Sequence, residues 1–255
     1  MMRSVQRIIA IFEAFGPERS SLTLQEISNE IDLPKSTTFR IIQSLEEAGY
    51  IVRLDNLSYC LSFRFVRLAG HVRSTMGIRE VARPLMVELS EMLRETVSLH
   101  TFSEGERVCL DSVTADAPLR SVVLPGEHHP LRAGSASKVL LAFMNEEDQK
   151  PLISAMAREL RMTAPEIRDM LAAVREQRYA ISHGERLQGI SAVSAPIFNF
   201  DDTVAHCISV GGPSFRIRER EAEIVERVKA TADRITYHYG GKLELKAADL
   251  EDDDL

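Results

Sequence analysis

The sequence predicts an α+β protein: an N-terminal winged helix-turn-helix, a linker helix and a larger C-terminal α/β domain of mixed strands and helices. Three observations carry this prediction. The 255 residues exceed what one hydrophobic core usually organises, and 44% hydrophobic residues are enough to fill ordinary cores. Residues 1–62 read as three short helices followed by a hairpin, and beyond Thr96 strands and helices alternate. The expected segments are therefore 1–62, a linker helix at 63–77, a C-terminal domain at 78–246 and an acidic tail at 247–255.

Val5, Ile8, Ile9, Phe12 and Phe15 recur at helical spacing, and Gly16-Pro17 ends that helix. Thr23 and Glu26, in T-L-Q-E, form a capping box that opens a second helix reaching Ile31. Asp32-Leu33-Pro34 is a short turn; a third helix spans Lys35 to Ala48 and stops at Gly49. Strands at Tyr50–Leu54 and Ser58–Ser62 flank the turn Asp55-Asn56. Helix, tight turn, helix and hairpin is the winged helix-turn-helix order. A small helical module that only contacts other proteins shares this pattern.

From Arg64 to Met76 the pattern is helical again, with Phe65, Val66, Leu68, Ala69 and Val72 apolar. Gly77 interrupts it, and Ile78 to Glu95 continues despite Pro84. Apolar residues on a helix with no core of its own predict a dimer contact. Strands follow at Val97–Ser103, Arg107–Val113 and Ser121–Leu124, and His128-His129 falls in a loop between Pro125 and Pro130. Helices are expected at Ser135–Phe143, Asp148–Leu160 and from Thr163. A hairpin joins Gly189–Phe198 to Thr203–Gly211, and a single last helix runs from Arg218 to Tyr239.

On the third helix Thr38, Ile41, Ile42 and Leu45 share the face that must enter a core. The opposite face carries Ser36, Arg40, Gln43 and Glu47, flanked by Thr37 and Ser44, and no acid stands between Lys35 and Gln43. Hydroxyls near a helix start reach phosphates, while Arg and Gln donors fit guanine and adenine edges in the major groove. Lys35, Ser36, Thr37, Arg40, Gln43 and Ser44, with Arg53 on the wing, are the candidate DNA contacts; Asn56 is a further wing polar group. A merely solvated face is the plainer alternative, and the preceding helix, turn and wing argue against it.

Ser135-Ala136-Ser137-Lys138 matches S-x-x-K, a nucleophile motif of penicillin-binding enzymes, but the S-D-N and K-T-G elements that accompany it are absent. The small residues from Gly134 to Ser137 make better sense as a helix start that receives an anion. An enzyme with an appended DNA-binding module would have to use Ser135 with Lys138, and His183 with Glu185. Leu110, Val122 and Leu124 are candidate apolar walls or core residues.

L-T-L-Q-E-I-S, L-P-K-S-T-T-F-R-I-I-Q-S-L-E-E-A-G-Y-I, R-A-G-S-A-S-K-V-L-L-A-F, G-I-S-A-V-S-A-P-I-F and I-S-V-G-G-P occur in this order along the chain. In these motifs and their spacing the chain resembles the IclR family of bacterial transcription regulators over nearly its whole length. The resemblance implies a GAF-like C-terminal domain that binds a small organic effector, double-stranded operator DNA as the partner of the N-terminal domain, and association into dimers or tetramers. It also implies effector contacts at Ser135, Ala136, Ser182, Ala192, Ser209 and Gly211. Ser182 and Gly211 depart from the acidic or hydroxyl residues of some relatives, so the effector stays open between small carboxylates and aromatic acids.

Cys60, Cys109 and Cys207 form no CxxC pair, and the histidines show no ligand spacing, so neither a metal nor a cofactor is expected. With no leader peptide and no apolar run near membrane-spanning length, the expected location is the cytoplasm. The formal charge is −7, but five of the 38 acids lie in the tail, leaving 33 against 31 Lys and Arg. Lys35, Arg40 and Arg53, followed by Arg64, Arg67 and Arg73, are placed where DNA would lie. Cations this few predict a modest salt dependence and reliance on two or more reading heads together.

Overall fold

The computed structural model describes residues 3–16, 19–68 and 77–241. The chain divides into two compact units, Met1–Met76 and Gly77–Leu255.

In the first unit α1 (Arg3–Glu13), α2 (Leu24–Glu30) and α3 (Lys35–Glu47) enclose Ile11, Ile27, Ile42 and Leu45, together with Leu22, Ile51 and Tyr59 from a small sheet. That sheet orders β1 (Leu22–Thr23), β3 (Ser58–Leu61) and β2 (Ile51–Arg53), with Leu22 and Arg53 flanking Tyr59. The Thr23–Glu26 capping box forms at the start of α2. Thr38 is fully buried and turns its hydroxyl back to the Pro34 carbonyl at 3.2 Å, which lets a polar residue sit on the core face of α3. Asn56 braces the wing turn by accepting from the Ser58 amide and hydroxyl at 3.1 and 2.6 Å. Beyond the wing, 64–68 are helical; Phe65 packs on Phe12 and Tyr50, whereas Phe63 and Val66 stand in solvent at 87% and 64% exposure. Residues 69–76 of the expected linker helix and all of the acidic tail lie outside the described residues.

The second unit is built on a six-stranded antiparallel sheet. Its order is β6 (His128–Pro130), β5 (Glu106–Val113), β4 (Thr96–Ser103), β9 (Val204–Pro213), β8 (Ile190–Phe198) and β7 (Ala180–His183). One face presents Val97, Leu99, Val193, Ile208 and Val210 to α4 (Ile78–Leu93) and α9 (Glu221–His238). The other face carries the alternate residues and is partly covered by α5 (Ser135–Ala142), α6 (Glu146–Leu160) and α7 (Ala164–Gln177), which share a core around Leu141, Met156 and Leu171.

Several expectations are corrected. Residues 121–124 form no strand: the Ser121 carbonyl accepts from the Thr96 hydroxyl at 2.6 Å instead of from a neighbouring strand. Only Val123 of that segment's apolar residues turns inward, so Val122 and Leu124, each 56% exposed, are neither wall nor core. His128-His129 belong to an edge strand paired with Arg107 and Val108. The last helix is interrupted at Arg220, where φ is −116°, giving α8 (Ser214–Glu219) and α9. The short strands β1 and β7 carry too few residues for a periodicity to register.

Burial drives the His206 pKa down to about 4, and it holds His100 well below the usual histidine range. On unfolding, both side chains regain the capacity to protonate below about pH 6.5, so the native state loses stability as pH falls from there toward 4. A lower urea midpoint at pH 5 than at pH 7.5 is the expected result, and substituting His206 by Gln should flatten that difference.

Candidate functional site

On α3 the face expected to read DNA is free. Lys35, Ser36, Arg40, Gln43 and Ser44 are exposed and Thr37 is half-buried, while Ile42 and Leu45 hold the helix to the core. No side chain caps the start of α3, where Pro34 stands, so no protein carboxylate competes there for a phosphate. Ser44 donates its hydroxyl to the Arg40 carbonyl at 3.1 Å and is thereby partly occupied. Arg53 is exposed on β2. A groove between α1 and α3 is lined by Ser4, Arg7, Thr37, Arg40 and Ser44, which brings Arg7 beside Arg40. Arg7 was not singled out from sequence; its signal is a cation on the polar side of a strongly amphipathic helix that carries no acid before Glu13.

In the second unit a cavity opens on the sheet face opposite α4 and α9. The space between its walls is about 550 Å³ when the open solvent at its mouth is included. Antiparallel register builds its floor: Ser182, Ala192, Gly211 and Thr96 lie in one row across β7, β8, β9 and β4. Ser194, Ser209 and Ser98 lie in the next row. Ser135 enters from the start of α5, where Gly134 at φ 94° and ψ 153° adopts a backbone that only glycine holds without strain. Ser135, Ser182, Ala192, Ser209 and Gly211 thus border one space; Ala136 does not, being 1% exposed in the core beneath α5. One helical step of about 100° turns its side chain away from that of Ser135.

The helix start does not wait for an anion at its first amide. The Gly134 N–H already donates to Glu185 Oε2 at 3.1 Å, and the other Glu185 oxygen is paired with Lys138, which also donates to the Ile181 carbonyl. The cationic wall lies elsewhere, at Arg107 on β5 and Arg186, both facing the cavity, and no Asp or Glu lines it. Burial, with the nearby Arg186 charge, lowers the Arg107 pKa to about 10, which leaves it charged at neutral pH. His100 meets Ser98 Oγ at 2.9 Å through Nε2. Its low pKa follows from burial first and the Arg107 charge second, so the ring is neutral.

This arrangement lacks a nucleophile with a base. Ser135 Oγ meets the Ser194 hydroxyl at 2.7 Å, Lys138 is held by Glu185, and His183 lies between Ser191 Oγ at 3.1 Å and Glu221 at 3.0 Å. Burial raises the Cys109 and Cys207 thiols to about 11 and about 12, far from reactive thiolates. Among the described residues no group of three or more His, Cys, Asp or Glu side chains gathers to hold a metal.

Comparison with known proteins decides the family. Residues 70–237 match the model of the bacterial transcriptional regulator IclR C-terminal domain, and residues 4–55 match that of the IclR helix-turn-helix domain. The chain belongs to the IclR family. It is similar to the HTH-type transcriptional regulator KipR of Bacillus subtilis, at 30% identity over 93% of this chain and 97% of that protein. Its fold matches the crystal structure of Pseudomonas aeruginosa HmgR with a TM-score of 0.79 at 23% identity, covering 95% of this chain and 100% of that one. An IclR homologue from Microbacterium hydrocarbonoxydans, crystallised with 4-hydroxybenzoate, matches with a TM-score of 0.56 at 21% identity over 92% of this chain and 98% of that one. This IclR-type chain is a ligand-responsive transcriptional regulator and not an enzyme. No described helix is long and apolar enough to cross a membrane.

The cavity residues missed from sequence include Thr96, Ser98, His100, Arg107, Ser121 and Arg186. The trace of the first three is the polar alternation T-x-S-x-H along β4, a period-two pattern in which the polar side turns out to be the inner one.

Proposed function

We propose that this IclR-type regulator reads a double-stranded operator through α3 and the wing, and that a small organic acid in the sheet-face cavity changes its hold on that operator. Lys35, Ser36, Thr37, Arg40 and Gln43 are the reading residues, with Arg7, Ser44 and Arg53 on the flanking backbone. Ser135, Ser182, Ala192, Ser209 and Gly211 are the effector contacts; Ala136 supports Ser135 from behind. Two or four copies act together in the cytoplasm, joined in part through the apolar residues that follow the wing.

What carries the effector reading is a polar, positively charged cavity between layers that are otherwise apolar, since buried polar surface without partners is costly unless a ligand completes it. The fold neighbour crystallised with 4-hydroxybenzoate supports an organic acid as the ligand. Ser135→Trp tests it by filling the cavity from the start of α5. Operator binding without ligand should stay within about threefold of the parent in a gel shift, and the ligand-dependent change should drop at least about tenfold. A variant that still responds normally would place the ligand elsewhere.

A further inference from the structure

Arg107 is 6% exposed and carries its charge at neutral pH; its guanidinium makes no hydrogen bond or ion pair with any described residue, and its Nε is buried without a partner. The groups facing it are Arg186 and Glu127 in the charged class, and Cys109 and Cys207, both protonated. Glu127 is engaged with His129 at 3.4 Å, and Arg186 stands in solvent against the same His129 ring. A buried guanidinium that no carboxylate pairs directly, the nearby Glu127 included, is costly, by several kcal/mol in general, and persists when something absent from the folded chain completes it. Its planar fork matches one carboxylate in two parallel hydrogen bonds.

The remainder of the wall specifies the rest of the ligand. No Phe, Tyr or Trp lines the cavity, and the ring that does line it, the His100 imidazole, is small and tied to Ser98, so no large aromatic face is available to stack. Hydroxyls dominate instead. Ser135, Ser194 and Ser209 are joined by two hydrogen bonds of 2.7 and 2.9 Å, and three hydroxyls supply three protons. Ser194 donates to Ser209, so Ser135 donates to Ser194 and the Ser209 O–H is left over, bordering the cavity. The Ser121 and Ser182 hydroxyls also border it and meet no described partner. His100 Nδ1 is buried and unpaired. Ala192 and Gly211 leave the floor open between these groups; a Cβ on Gly211 would sit 3.7 Å from Ser121 Oγ.

We infer that the effector is a small aliphatic carboxylate bearing two or more hydroxyl or keto oxygens, its carboxylate on Arg107 and its oxygens on the serine floor. This rests on the cavity being the effector site, as proposed above, and narrows what that site takes. One buried cation matches a single negative charge; an aromatic acid would leave the floor hydroxyls unsatisfied, and a neutral polyol would leave Arg107 so.

The test is calorimetric titration of the full chain with glycerate and gluconate as hydroxy acids. Butyrate, glycerol, 4-hydroxybenzoate and inorganic phosphate are the comparisons, each taken to about 10 mM. A hydroxy acid should bind at least about tenfold tighter than butyrate, glycerol or 4-hydroxybenzoate. Arg107→Met should weaken it at least about 30-fold, and Arg107→Lys should fall between, because the charge stays and the fork is removed. Arg107→Met should also leave the ligand-free thermal midpoint unchanged or raised, which a structural arginine would not. The inference falls if phosphate or 4-hydroxybenzoate binds tightest, if no hydroxy acid binds, or if Arg107→Met leaves hydroxy-acid affinity within about threefold. Ser135→Trp separates the two readings. If it abolishes binding of a preferred aromatic acid, the cavity stands and the ligand class fails; if it leaves a bound hydroxy acid unaffected, the cavity itself is not the site.

Discussion

Arg40→Ala is expected to weaken operator binding by about 30-fold to 25,000-fold, because a bidentate hydrogen-bonded pairing with a base is worth about 1–3 kcal/mol and each of two reading heads would forgo one. The residue sits mid-way along the exposed face of α3, beside the groove it shares with Arg7, while Ile42 and Leu45 fix the helix from the other side. Truncating it disturbs no core packing, so folding and ligand affinity should be unchanged. Arg40→Lys keeps the charge but not the fork and should relax base preference more than it weakens non-specific binding. Lys35→Ala, by contrast, should weaken binding to all sequences alike and reduce the salt slope by about one. Fluorescence anisotropy on operator and scrambled duplexes over a salt series distinguishes these outcomes. Operator affinity within about threefold of the parent for Arg40→Ala would remove α3 as the reading helix.

The second large effect concerns stability. Glu95, 2% exposed, receives Arg216 in a bidentate pair at 2.6 and 2.9 Å, and the same guanidinium donates to the Leu119 carbonyl at 2.8 Å. Arg216→Ala leaves a buried carboxylate alone and should cost about 3–5 kcal/mol, seen as a lower denaturant midpoint of the second unit by far-UV circular dichroism. Gly212 is part of this arrangement, because a Cβ there would stand 2.3 Å from Glu95 Oε2. The double variant Glu95→Gln, Arg216→Met should recover part of the stability, since no unpaired charge remains. A cost in Arg216→Ala below about 1 kcal/mol would show that water replaces the partner. Releasing Leu119 also loosens the segment that carries Ser121 and Val123 into the cavity, so ligand affinity should fall with stability.

Helix α3 was legible in the sequence because everything that defines it is local. The capping box at Thr23 and Glu26, the three-residue turn to Lys35 and the stop at Gly49 act within a few residues, and 3.6-residue periodicity separates Arg40 from Ile42. The family motifs likewise led to Ser135, Ser182, Ala192, Ser209 and Gly211, which register brings to one cavity. They did not exclude Ala136, whose side chain turns into the core. Residues 121–124 misled for a related reason: alternating apolar residues look like a strand, but nothing pairs with them, and the alternation only decides that Val123 rather than Val122 or Leu124 faces inward.

By itself, the sequence determined an IclR-type helix-turn-helix head followed by a mixed α/β domain, and it showed Lys35, Arg40 and Arg53 standing on that head against a net charge of −7. Only the tertiary structure decided which charges are spent and which are left. The α5 start looked like an anion site, yet Glu185, 51 residues beyond Gly134, already accepts from the Gly134 amide and pairs with Lys138. In the sequence Arg107 is only the first residue of an expected strand, yet β4, β6 and the cavity enclose it and no described carboxylate pairs with its guanidinium. Helical capping and periodicity act between neighbours in the chain and can be read from it. Desolvation and charge pairing depend on strands and loops brought together from distant positions, and they exist only once the sheet has formed.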